Sequence, residues 1–71
     1  MKYPVVFEPT PSGFSAYVID MDGCVSTGAT LEEVRKNIRE AIEFHIEGMR
    51  KDNDQIPEPS IVEFIDIFAS V

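Results

Sequence analysis

Cysteine and histidine each occur once in this 71-residue chain, as Cys24 and His45. One cysteine cannot close an internal disulfide, and one cysteine with one histidine cannot complete a structural zinc site. Basic residues are also scarce: six Lys and Arg stand against thirteen Asp and Glu, a formal charge of −7. A surface so anionic repels phosphate backbones, so direct nucleic-acid binding is not expected. No apolar run approaches the roughly 20 residues that span a bilayer. Met1, Lys2, Tyr3 and Pro4, soon followed by Glu8, do not read as a signal peptide. The expectation is a cytoplasmic protein with a reduced thiol and no membrane contact, and no motif calls for a cofactor or metal.

Residues 1–71 are too few for two hydrophobic cores and are expected to form one domain. A core of this size yields only about 3–5 kcal/mol of net stability without a staple. With disulfide and zinc excluded, the expected supplement is self-association or a bound partner. The acidic field favours encounter with a basic protein, although acidity also serves solubility alone.

Residues 3–8 are β-branched and aromatic and read as a strand, with Pro4 at its start or facing away from a ladder. Pro9, Thr10, Pro11, Ser12 and Gly13 break it. Residues 14–19 resume β character, with Phe14, Ala16 and Val18 on one face. Asp20, Met21, Asp22 and Gly23 form a turn, and residues 24–27 make a short third strand ending at Gly28. Strands so close in sequence predict an antiparallel meander.

Thr30, Leu31, Glu32 and Glu33 have the capping-box pattern, so a helix starts there. Leu31, Val34, Ile38, Ala41, Ile42, His45, Ile46 and Met49 recur at helical spacing and predict one apolar stripe, ending near Lys51. Glu32 with Lys36 and Arg39 with Glu43 are spaced for ion pairs. Ile56, Pro57, Glu58, Pro59 and Ser60 read as an extended linker. Residues 61–71 follow as a strand apolar on both faces apart from Glu63, Asp66 and Ser70.

The fold class predicted is α+β: a two-layer β-β-β-α-β sandwich with one helix on a four-stranded sheet. A right-handed crossover places the last strand beside the first, in the order 3-2-1-4. A long apolar edge strand invites pairing, so a homodimer or higher homo-oligomer is expected there, with Phe64, Asp66 and Phe68 as candidate interface residues.

Residues 17–24, with Asp20, Asp22, Gly23 and Cys24, and then residues 26–33, with Gly28, Thr30 and Glu33, resemble the signature of the HicB family of antitoxins. Residues 56–60 are similar to that family's proline-rich exit from the helix. The chain departs from the pattern at Ile19, Asp22, Ala29 and Val34, which are turn and packing positions. The resemblance implies a sheet like a reduced ribonuclease H fold, and inhibition of a small basic HicA-type toxin that cleaves mRNA. Many HicB proteins continue into a DNA-binding domain; this sequence stops at Val71, so no autorepressor role is expected of it.

Other readings compete. Asp20 and Asp22 suit a divalent metal and hence a nuclease, but two-metal chemistry needs more convergent acids, and turn formation explains both. His45 on the apolar stripe reads as a packed, hydrogen-bonded residue without a catalytic partner. Cys24, with two nearby acids, reads as a small buried hydrophobe. Glu40, Glu43 and Glu47 are candidates for meeting a basic groove, or are only a solvated helix face. No catalytic residue is assigned. The leading expectation is an antitoxin-like protein; the alternative is an orphan oligomeric binding or adaptor module for another protein or a small ligand.

Overall fold

The computed structural model describes residues 1–68. It contains β1 (Val5–Thr10), β2 (Gly13–Val18), β3 (Val25–Gly28) and α1 (Leu31–Lys51). The strands form the expected antiparallel meander, in the order β1-β2-β3. The class is α+β, with one helix on one face of the sheet.

The first strand runs further than its prolines suggest. Ile19 N–H donates to the Pro4 carbonyl, and Val5 lies opposite Val18 in the ladder. Residues 4, 6, 8 and 10 therefore turn their backbone groups toward β2, and residues 3, 5, 7 and 9 turn theirs outward. Pro9 occupies an outward position where no donor is required, so β1 continues through it to Thr10. Only Pro11 and Ser12 remain for the turn.

Thr30 caps the helix, its hydroxyl accepting from the Glu33 amide at 3.1 Å. Glu33 makes no return bond among the described hydrogen bonds. At the other end Asn53 adopts φ 56°, a left-handed stop that asparagine tolerates. The apolar stripe packs on the sheet: Val34 and Ile38 are buried with Ala16, Val18, Met21 and Cys24. Leu31 departs from the stripe and is 42% exposed. Among the described residues the ion pair is Glu47–Lys51 at 3.7 Å, exposed to solvent, rather than Glu32 with Lys36 or Arg39 with Glu43.

Gly28 sets how closely α1 meets the sheet. A Cβ there would stand 2.6 Å from the Val34 amide nitrogen, so only glycine lets the first helical turn settle on the end of β3. Asn37 fixes the same flank, donating to the Thr27 carbonyl at 2.9 Å. The helix is thereby held over β2 and β3, and β1 lies to one side.

The fourth strand and the 3-2-1-4 order do not form within the chain among the described residues. Residues 61–68 carry no regular secondary structure and are all exposed; Ala69, Ser70 and Val71 lie outside the described residues. Two apolar faces make a strand only where a ladder partner and cover exist, and this segment meets neither. Its projection raises the Cα radius of gyration to 14.5 Å, against about 11 Å for a compact chain of this length.

Two outcomes follow from the packing. Gly28→Ala lowers stability by about 1–3 kcal/mol, because backbone must move to admit the methyl group. Gly48→Ala, which meets nothing within 4 Å, raises it by about 0.5–1 kcal/mol. Urea unfolding of both variants checks the opposite signs. Burial pushes the Cys24 thiol up from its ordinary value by desolvation. The folded state thus disfavours the thiolate; the associated stability is complete below the ordinary thiol range and lost as pH rises through the folded pKa. Iodoacetamide labelling at mildly alkaline pH proceeds at least about tenfold slower in the native chain than in urea.

Candidate protein-binding surfaces

The two edges of the sheet differ. On β3 the outward Thr27 carbonyl is taken by Asn37. On β1 the outward groups belong to Tyr3, Val5 and Phe7, and no strand pairs with them among the described residues. Because α1 sits over β2 and β3, a groove opens between β1 and the near flank of the helix. Its floor is apolar, from Val5, Phe7, Ile38, Ile42 and Ile46, and its rim carries Lys2, Arg35, Arg39 and Glu43. Half of the chain's six basic residues therefore border one groove.

Asp20 has a larger part than its place in a turn suggested. Its carboxylate accepts from the amide of Ser60 at 3.0 Å and from the Ser60 hydroxyl. Tyr3 donates from its hydroxyl to the Pro57 carbonyl at 2.6 Å. These bonds fasten the proline-rich linker to the end of the sheet where β1 begins and β2 ends. Beyond the fastening, Phe64 and Phe68 are 101% and 110% exposed, and Asp66 between them is exposed as well. The aromatic candidates thus lie together on a segment outside the core, apart from the helix carboxylates.

Glu40, Glu43 and Glu47 are exposed on α1. Glu43 borders the groove, whereas Glu47 engages Lys51. Phe44 stands among them at 80% exposure, a residue not singled out from the sequence. Its signal was available: Phe44 falls off the stripe that places Ala41, Ile42 and His45 toward the sheet, and an aromatic side chain there has no core to enter.

The motif residues occupy the turns that shape the sheet. Gly23 has φ 76°, in the left-handed region that favours glycine, and Asp22 beside it is exposed. The turn closes when Met21 and Cys24 enter the core, with the Cys24 amide donating to the Met21 carbonyl. Among the described residues no three His, Cys, Asp or Glu side chains gather as a metal set. His45 is half-buried and makes no hydrogen bond to the described residues.

Known proteins resemble this chain along most of its length. It is 43% identical over 63 residues to an uncharacterized 14.9 kDa protein from the rep-hol intergenic region of Haemophilus phage HP1, covering 89% of this chain and 47% of the phage protein. The chain thus spans about half the length of that relative. It is 36% identical over 66 residues to a UPF0150 protein of Thermoplasma acidophilum, covering 89% of this chain and 93% of the archaeal one. A UPF0150 protein of Helicobacter pylori is 40% identical over 52 residues, covering 73% of this chain and 72% of its own. Residues 3–67, which hold the meander, the capped helix and nearly all of the exposed apolar segment, match the family model described as HicB-like antitoxin of bacterial toxin-antitoxin system, and the chain belongs to that family.

Proposed function

We propose that this chain is the antitoxin of a toxin–antitoxin pair and that it binds and inhibits a small basic HicA-type ribonuclease in the cytoplasm. The observation that carries the reading is the family match over residues 3–67. Charge supports the choice of partner. A ribonuclease that attracts RNA presents a cationic site, and a chain of charge −7 offers carboxylates where phosphates would otherwise bind.

The exposed helix face suits such an inhibitor. Glu40, Glu43 and Glu47 supply negative charge, and Phe44 among them supplies an apolar anchor. Charges at the rim of an interface set encounter rate and salt dependence, while a buried aromatic residue sets residence time. Inhibition here is steric, since the antitoxin needs only to cover the catalytic face. No group on this chain is assigned a chemical step.

Co-expression tests the reading. A toxin encoded beside this chain arrests growth and degrades mRNA when expressed alone, and the full chain restores both. Phe44→Ala weakens the complex at least about tenfold, chiefly through faster dissociation. Reversing Glu40, Glu43 and Glu47 to lysine slows association and flattens its salt dependence. Undiminished mRNA cleavage in the presence of excess chain would contradict inhibition and leave the adaptor reading in its place.

A further inference from the structure

We propose that residues 61–68 of one copy form the fourth strand of a second copy, lying along its β1 edge and into the groove beside α1, and that the exchange is reciprocal. The host edge is ready for it. Tyr3, Val5 and Phe7 present backbone donors and acceptors outward that pair with nothing among the described residues, and Pro9, with no N–H, closes the far end of the site.

The incoming segment matches the groove in chemistry. In strand geometry Val62, Phe64, Asp66 and Phe68 share one face and Ile61, Glu63, Ile65 and Ile67 the other. The face with the two phenylalanines enters the apolar floor at Ile38, Ile42 and Ile46, and Asp66 meets the cationic rim of Arg35 and Arg39. The opposite face continues the outer surface of the sheet, where Tyr17 and Val25 are exposed. The segment thereby gains a ladder partner along its length and cover for the face that carries both phenylalanines. Few other surfaces of a chain this acidic would attract Asp66.

The occupant is a second copy because the chain's own segment, fastened at its start, is exposed and does not line its own groove. Ser60 is held by Asp20 and Pro57 by Tyr3, and Pro57 and Pro59 stiffen the span between them. With these bonds made, Phe64 and Phe68 project free of their own body. A short stiff hinge that keeps a strand from folding back favours exchange between identical chains. Reciprocal exchange about a two-fold axis satisfies both edges and both segments, so association stops at a dimer.

Mass in solution and charge reversal test this without reference to any toxin. Light scattering on the full chain gives twice the 8.0 kDa chain mass at submillimolar concentration, and Phe64→Asp with Phe68→Asp gives a monomer with unchanged circular dichroism. Asp66→Arg alone, and Arg35→Glu with Arg39→Glu alone, each weaken the dimer at least about tenfold. Mixing those two variants restores a heterodimer, since both exchanged segments then meet a groove of opposite sign. A wild-type monomer at submillimolar concentration overturns the proposal. So does a dimer indifferent to Phe64 and Phe68, or a mixture no tighter than its parts.

Discussion

The contact of Val34 and Ile38 with Ala16, Val18 and Cys24 is the interaction on which the rest of the molecule depends. Val34 is fully buried, and it reaches that position because Gly28 leaves room for the first helical turn against β3. Thr30 and Asn37 fix the same end of the helix through the Glu33 amide and the Thr27 carbonyl. With α1 committed to β2 and β3, only the Ile42 and Ile46 flank is left for β1. The sheet is wider than the single helix that covers it.

That imbalance organises the surfaces. The side of α1 nearest β1 carries Arg35 and Arg39 above an apolar floor, while Glu40, Glu47 and Phe44 lie exposed elsewhere on the helix. Net charge alone would describe one uniformly anionic body; the arrangement instead separates a cation-rimmed groove from a carboxylate-rich face. Outside both, Ile61, Val62, Phe64, Ile65, Ile67 and Phe68 stand exposed within eight residues. Each such side chain contributes about 1.5–3 kcal/mol when buried, and the small core has little other reserve. Leaving all six in water is a poor end state for a domain of this size.

Much of the fold was legible because its signals are local. The cap at Thr30 and the stripe from Val34 to Met49 act within one helix, and alternation at Phe14, Ala16 and Val18 acts within one strand. The meander follows from short turns. What escaped depends on pairing over distance. Pro9 reads as a strand breaker until the register shows that its nitrogen points outward. Asp20 reads as a turn residue until Ser60, forty positions along, reaches its carboxylate. Residues 61–68 have strand composition, but composition does not say whose ladder they join. Phe44 is hidden for the opposite reason: the helical period marks the buried stripe and says nothing of an aromatic residue displayed outside it.

A helix that covers β2 and β3 leaves the outward edge of β1 open to pairing with another chain. Amide hydrogen exchange as a function of protein concentration tests this most directly. Ala16 and Val18 are expected to be protected at every dilution, whereas Val5 and Phe7 exchange freely when dilute and gain protection as concentration rises. Equal protection of Val5 and Phe7 at all dilutions would mean that the edge is covered within a single chain, and would contradict it.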